Sequence, residues 1–342
     1  MTETINRYVN WRDWPGNRTA IIAEVGVNHG GDEKLAWDMI LSAHKHGADF
    51  VKLQSFVMED FFHPSLSYYS TTKSYELSID IQRGLFHKAS EVGIKLTTTA
   101  FDFQSIDMVG EFDPSVYKIA SMDNDNIPLI RYIAEKKKPV LVSTGMAHME
   151  EIQKIVEIFK EAENDKLVLL HCVSDYPTTP ENINLEMIRV YRETFNCPTG
   201  LSDHSLGLAS ALIAASIGAT VIEKHFTTDR SLVDKIPDAD HDISIEPHEL
   251  EELKRFCEDV PIINGSPQRI LTEGEMMGRK SFRRGIYAKR DIVVGEELDL
   301  ENVVLLRPVS EIPAGCWDDI VGKKFVKSVS RYQHIQYSDL EL

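Results

Sequence analysis

The chain lacks most of what an exported, membrane-spanning or nucleic-acid-binding protein needs. Its four cysteines, Cys172, Cys197, Cys257 and Cys316, are widely scattered and form no CxxC pair. Disulfide frameworks and zinc knuckles use closely spaced cysteines, so reduced thiols in a cytoplasm are the expectation. No apolar run comes near the roughly 18 residues of a membrane span. The opening segment MTETINRYVNWRDW has no apolar stretch of the kind that marks a secretory leader. Positive charge is short as well: 37 Lys and Arg stand against 54 Asp and Glu, a formal net charge of −17. Phosphate backbones are bound through clustered cations, which argues against nucleic acid as a partner. Low-complexity segments are missing. With 42% hydrophobic and 27% charged residues, the composition is that of an ordinary globular protein.

What is present is a repeated alternation. Eight short apolar runs, each followed by a stretch of helical character, cross the first 260 residues: Ile21–Gly26, Ala48–Gln54, Lys95–Phe101, Val116–Ser121, Pro139–Gly145, Leu167–Val173, Thr199–His204 and Thr220–Phe226. Strands alternating with helices imply a parallel sheet, and eight such units close into a (β/α)₈ TIM barrel. The segment Asp32–His46 fits a crossover helix, with Leu35, Met39 and Ala43 on one stripe and Gly47 as a stop. Residues 1–19, with Trp11, Trp14 and a Pro-Gly turn, read as an arm on a barrel spanning 20–262. Residues 263–281, rich in Gly, Ser, Pro, Met and charge, read as a linker. Residues 282–342 have β-branched runs and tight turns and read as a small β-rich domain. Two connections exceed the usual length, Ser55–Tyr75 and Thr227–Pro247, and both follow strand ends on the catalytic face, as lids or substrate walls would.

Nearly every residue able to do chemistry sits where an apolar run ends, which in a TIM barrel is the active-site face. Lys52 in FVKLQ and Lys118 in VYKIAS lie inside apolar strands. A buried ammonium needs a fixed anion, either a structural carboxylate or an anionic ligand. Hydroxyls at Thr99, Ser121, Ser143 and Ser202 favour the ligand, and two cations ringed by hydroxyls suit a phosphate plus a carboxylate. His204 ends the seventh run and His225 the eighth, so both imidazoles are placed to reach one divalent ion, with Asp203 and Glu223 beside them in sequence. A closed zinc site wants four N or S ligands, so an open site completed by water and substrate fits two histidines better. Glu24 is a candidate to hold one of those waters. A nucleophilic His171-Cys172 pair is weak, because neighbours in a strand point to opposite faces. Arg283 and Arg284 in FRRGIYA are by default a basic surface pair.

The segments IIAEVGVNHGGD, GADFVKLQSF, YKIAS, VSTGMA, GLSDHS and GATVIEKHF, followed by FRRGIYAKRDIVVGEEL and VGKK, resemble the sialic acid synthase family with its C-terminal antifreeze-like (SAF) domain. The resemblance runs in order from about residue 20 to the C-terminus, outside the arm and the two long loops. It implies condensation of phosphoenolpyruvate with an N-acylated mannosamine-type sugar to a nine-carbon nonulosonic acid. Lys52, Thr99, Lys118, Ser121, Ser143, Ser174 and Ser202 would hold phosphoenolpyruvate. Gln54, Tyr176 and Asp240 would meet the sugar, and Glu24 would handle proton or water chemistry. His204 and His225 would bind Mn²⁺, with Mg²⁺ or Co²⁺ as substitutes. Arg284 would reach the N-acyl group in a neighbouring subunit's barrel, which implies a domain-swapped homodimer.

Departures from the family pattern bear on the acceptor. Ser121-Met122-Asp123 stands where Ser-Gly-Glu is frequent, so an acid assisting catalysis there would be Asp123, one methylene shorter. Ala239-Asp240-His241 stands for Pro-Asp-His, Gly285 for a frequent Ser, and SVSRYQHIQYSDLEL has no second Gly turn. The Asp240-His241 segment places N-acetylneuraminate or legionaminate synthesis ahead of pseudaminate synthesis. A 3-deoxy-octulosonate-phosphate type of condensation is disfavoured by the SAF-like domain and by the lack of an Arg cluster for a second phosphate. A catalytically silent sugar-binding barrel would not need Glu24, both lysines and both histidines.

Overall fold

The computed structural model describes residues 18–341, so Trp11, Trp14 and nearly all of the expected arm lie outside the described residues. The chain divides into two compact units, Met1–Gly265 and Ser266–Leu342.

In the first unit eight strands pair in parallel and in sequence order. They are β1 (Ala20–Gly26), β2 (Phe50–Ser55), β3 (Leu96–Ala100), β4 (Tyr117–Ile119), β5 (Val140–Ser143), β6 (Leu167–Cys172), β7 (Thr199–Asp203) and β8 (Val221–His225), and β8 pairs with β1 to close the barrel. Each of the eight apolar runs is a strand, and the TIM barrel expected from their alternation is the observed fold. Strands covered on both faces are apolar almost throughout, which is why the runs stood out. Their side chains nevertheless alternate. Ile21, Ala23 and Val25 of β1 and Val51 and Leu53 of β2 face outward into the main core shared with Met39, Ile40 and Leu85 of the helices. Ala20, Ile22, Phe50, Val116, Leu141, Val168, Leu170 and Val221 face inward and plug the barrel. Nearer the C-terminal strand ends the inward positions turn polar, at Glu24, Lys52, Thr99, Lys118, Ser143, Ser202 and Glu223, all buried.

Polar side chains set the helix starts. Asp32 caps Glu33–Lys45, Ser78 caps Ile79–Glu91 and Asp102 caps Phe103–Gly110, each accepting from a backbone N–H of the first turn. At the opposite end of the barrel Arg18 makes a two-pronged pair with Asp49, at 2.9 and 2.6 Å, and Asp49 also accepts from the Ile21 N–H at 2.9 Å. Asp49→Ala would leave a mostly buried guanidinium and an amide unpaired. A loss of about 2–3 kcal/mol in urea unfolding is expected; a loss below about 0.5 kcal/mol would show that the pair is solvated.

The segment 263–281, expected as a linker, holds regular structure at both ends. The last barrel helix, Pro247–Asn264, extends to Asn264, and Glu273–Phe282 is a helix. Thr272 and Glu275 form a reciprocal capping box at its start, a local signal that outweighs the Gly and Ser content. Beyond it β9 (Gly285–Ala288) and β10 (Val303–Leu306) pair antiparallel, and the remaining β structure consists of isolated bridges such as Ile292–Val329 and Phe325–Leu340. The second unit has its own core, built from Ile286, Ile292, Leu298, Val303, Ile312, Ile320, Phe325, Val329, Ile335 and Leu340. Tyr332, in the segment without a second glycine, takes φ +66. Among the described residues no helix is long and apolar enough to cross a membrane.

Candidate active site

The polar layer inside the barrel is an interlocked charge cluster. Lys52 Nζ lies 2.8 Å from Glu24 Oε2 and 3.7 Å from Glu223 Oε2, and it donates to Thr99 Oγ1 at 2.7 Å. Lys118 Nζ lies 3.5 Å from Glu223 Oε1 and donates to its neighbour Ile119's carbonyl at 3.2 Å. Ser202 Oγ donates to Glu223 Oε1 at 3.0 Å, and Gln54 Nε2 to Glu24 Oε1 at 3.2 Å. An irregularity in the register of β1 between Glu24 and Gly26 lets this last pair form. Gly26 has φ +57, and a Cβ there would come within 3.3 Å of both Gln54 Nε2 and Glu24 Oε1.

Burial and charge oppose each other here. Burial pushes the Glu24 carboxyl up to about 7 against the pull of Lys52. Burial also works against the Lys52 ammonium, but Glu223 and Glu24 outweigh it and hold it above its ordinary value. On Lys118 burial wins: its ammonium is lowered, with only partial compensation from Glu223. Lys118 is therefore the cation whose charge the protein satisfies less well. Ser143 Oγ and Ser174 Oγ, on the neighbouring strand ends, are buried with no hydrogen-bond partner in the structure.

Ser121, Ser174 and Gly145 form a small cradle. Ser121 Oγ accepts from the Gly145 N–H at 3.1 Å, and Asn124 Nδ2 donates to the Gly145 carbonyl at 2.8 Å. A Cβ on Gly145 would lie 2.2 Å from Ser174 Oγ and 2.7 Å from Ser121 Oγ. Cys172 turns inward to this cradle, 3.3 Å from Ser121 Oγ, while His171 turns outward and meets the Ile183 carbonyl at 2.6 Å.

His204 and His225 stand side by side, ring centroids 5.4 Å apart. Tyr176 stacks on His204 at 4.0 Å and meets His225 edge-on at 6.0 Å. His204 Nδ1 lies 2.8 Å from the Val173 carbonyl and donates to it, which leaves Nε2 as the nitrogen able to ligate; burial opposes charge on this ring, but Cys172 and the Val173 carbonyl outweigh it and hold the imidazole above its ordinary value. Burial and the nearby charges of His204 and Lys52 hold the His225 imidazole well below its ordinary value, so this ring is neutral. Its Nδ1 is buried without a hydrogen bond, 3.4 Å from Asp240 Oδ2. Burial pushes the Asp240 carboxyl up to about 6. Two imidazoles beside a carboxyl group and a tyrosine are a donor set that fits an open divalent site. The acid beside His204 in sequence does not join it: Asp203 faces outward and pairs with the buried Lys224 at 2.9 Å. The triplet Glu246, His248 and Glu249 also brings three potential ligands together. There Glu246 and Glu249 cap the helix Pro247–Asn264 and hold Arg230, which accounts for their placement.

The two long loops border this mouth. Ser55–Tyr75 carries two short helices, and Phe56, Phe61 and Phe101 stack beneath it. Thr227–Pro247 is joined to it by a hydrogen bond from the Tyr75 hydroxyl to the Pro237 carbonyl. Two further sequence candidates have partners of their own. Asp123 accepts from Asn126 Nδ2 at 3.3 Å, and burial raises its carboxyl above the ordinary value. Arg284 belongs to the second unit, where it is exposed and donates to the Leu305 carbonyl at 2.9 Å. Gly145 carried no role in the sequence reading, and Glu223 entered it only as an acid near His225. For Glu223 the signal was its parity with His225 on β8; for Gly145 only the fold brings the two serines around it.

The NeuB family model matches residues 39–269, and the SAF domain model matches residues 283–341. The chain belongs to the NeuB family. It is 34% identical to an N,N'-diacetyllegionaminic acid synthase of Legionella pneumophila, over 94% of each chain. It is also 34% identical to a pseudaminic acid synthase of Campylobacter jejuni, over 94% of this chain and 96% of that one. Among solved structures, the N-acetylneuraminic acid (sialic acid) synthetase of Leptospira borgpetersenii in complex with citrate is 35% identical, with TM-score 0.71, covering 76% of this chain and 90% of that one. These NeuB-family relatives are named for three different acids, so membership of the family establishes a synthase without choosing its sugar.

Proposed function

We propose that this NeuB-family enzyme condenses phosphoenolpyruvate with an N-acylated mannosamine-type sugar, giving a nonulosonic acid of the N-acetylneuraminate or legionaminate type and releasing phosphate. The observation that carries the reading is the under-compensated Lys118 beside Lys52, with the unpartnered hydroxyls of Ser143 and Ser174 around them. That arrangement suits an anion with both a phosphate and a carboxylate.

In this reading Lys52, Lys118, Thr99, Ser121, Ser143, Ser174 and Ser202 hold phosphoenolpyruvate, while Gln54, Tyr176 and Asp240 hold the open-chain sugar. His204 and His225 would hold a divalent ion such as Mn²⁺, which when bound acts as a Lewis acid toward the sugar aldehyde. Carbon 3 of phosphoenolpyruvate forms the new bond to the aldehyde carbon, leaving positive charge at carbon 2. Water adds at carbon 2, and the resulting tetrahedral centre expels phosphate by C–O cleavage. Glu24, poised near neutrality, takes the proton from that water. Lys52 and Lys118 offset the phosphate and carboxylate charge, and the hydroxyls fix their orientation. By its exposure, and by resemblance to the family, Arg284 serves the barrel of a second copy of the chain. Mixed dimers of Arg284→Ala and His225→Ala that regain part of the activity would support that role, and confirmed mixed dimers without activity would count against it.

The deciding experiment is phosphate release from phosphoenolpyruvate with Mn²⁺ and three sugars: N-acetylmannosamine and the manno and altro 2,4-diacetamido trideoxy hexoses. A preference for the first or the manno sugar supports the proposal. Preference for the altro sugar would make it a pseudaminate-type synthase, and silence with all three would sink the reaction. Gly145→Ala should raise KM for phosphoenolpyruvate by about 10-fold or more, because the new methyl displaces the Ser121 and Ser174 hydroxyls. An unchanged KM would remove these serines from the phosphoenolpyruvate site.

A further inference from the structure

Asn28, in the turn after β1, is fully buried and spans three elements. Its Nδ2 donates to the Phe226 carbonyl and to Ser244 Oγ, both at 3.0 Å, and its Oδ1 accepts from the Asp240 N–H at 2.9 Å. Ser244 Oγ in turn donates to the Asp240 carbonyl at 2.6 Å. One amide group thus grips the residue that follows His225, the return of the long loop, and the backbone of Asp240 on both sides of its peptide. The base of that loop closes by itself, through Thr227 N–H to the Ile245 carbonyl at 3.0 Å and Ile245 N–H to the His225 carbonyl at 2.8 Å. Its middle has no such ladder. Tyr75 meets Pro237, and His241 Nδ1 meets Thr227 Oγ1 at 2.8 Å, but Asn28 is the side chain that bonds to Asp240's own backbone N–H.

We propose that Asn28 is a positioning residue that seats Asp240 against His225 and thereby builds the acceptor-sugar side of the site. The inference rests on the function proposed above. The chemistry demands this residue type: the position needs two donors and one acceptor in a single short side chain. Aspartate would offer no donor and would set a negative charge against the Phe226 carbonyl. Glutamine would need space for another methylene where the side chain is fully enclosed. A buried group that satisfies three partners is costly to remove, and its loss frees the partner with the least other support. Here that partner is the Asp240 N–H, so the Asp240 carboxylate would leave its place 3.4 Å from His225.

The test combines kinetics with amide exchange on the full-length protein. Asn28→Ala should raise the sugar's KM by about 10-fold or more while KM for phosphoenolpyruvate stays within about 2-fold. In an Asp240→Ala background the same change should add less than about 2-fold, since both would remove one placement. Exchange of the Asp240 amide, followed by mass spectrometry on peptides spanning 236–243, should accelerate by about 10-fold or more with no such change at the loop Ser55–Tyr75. Ser244→Ala, which removes one strut and spares Asn28, should give the same pattern more weakly and serves if Asn28→Ala does not fold. Unchanged exchange at Asp240 in Asn28→Ala, or fully additive effects of Asn28→Ala and Asp240→Ala, would overturn the role. If the wild-type chain turns over none of the sugars, the reaction itself fails; accelerated exchange would then still register the Asn28 tie, separating the two failures.

Discussion

Lys118→Met should lower kcat/KM for phosphoenolpyruvate by about 10³-fold with little loss of fold. The Lys118 ammonium is enclosed in the barrel, its nearest carboxylate oxygen is 3.5 Å away, and burial lowers its affinity for a proton. An incompletely satisfied cation in a site of low dielectric gains most when an anion arrives, and most of all as charge moves onto a leaving phosphate. Methionine nearly matches the volume of the stem and removes only the charge. Glu223 keeps Ser202 at 3.0 Å and Lys52 at 3.7 Å, so the cluster does not strand a carboxylate. Lys52→Met is the informative contrast. Lys52 is the cation nearest Glu24, at 2.8 Å, and its loss should cost stability as well as turnover, by about 3–5 kcal/mol. Initial rates of phosphate release against phosphoenolpyruvate, with urea unfolding of each variant, measure both. A Lys118→Met enzyme within about 10-fold of wild type would exclude this lysine from the anion site.

His225→Ala should reduce turnover to background and weaken Mn²⁺ binding by about 100-fold or more, read by calorimetry or by the spectrum of the free ion. The argument is the protonation state. A metal ligand must offer a lone pair at working pH, and the surroundings of His225 keep its imidazole neutral. His204 is directed in a different way, by giving its Nδ1–H to the Val173 carbonyl at 2.8 Å. With two protein nitrogens, losing either leaves a single ligand, which is too few for selective binding. Chelation of the wild-type protein should abolish activity, and Mn²⁺ should restore it. Full activity of His225→Ala after metal depletion would overturn the assignment.

Much of this was legible in the chain because parallel barrel strands announce themselves. The eight runs are apolar on both faces, and the polar residues that interrupt them, Lys52, Lys118, Glu24 and His225, were conspicuous for that reason. The small domain was legible as a β-rich module, because its β-branched runs and tight turns differ from the alternation of the barrel. The helix Glu273–Phe282 was missed because composition was weighed above the Thr272–Glu275 capping box. Asp123 was named from the family pattern alone, and its bond to Asn126 became visible only in the fold. Glu223 was noted only as a neighbour of His225, and its pairing with both lysines became visible only in the fold.

The sequence by itself determined the alternation of strands and helices and the polar residues at the strand ends. These follow from local periodicity and from the cost of burying charge, which are properties of short segments. Only the tertiary structure decided which carboxylate answers which lysine, that Gly145 must lack a side chain between two serines, and that Asn28 reaches Asp240 across 212 positions of chain. Such relations depend on barrel closure. It brings β1 against β8 and so sets distant segments within hydrogen-bonding distance, where geometry rather than residue type selects the partner.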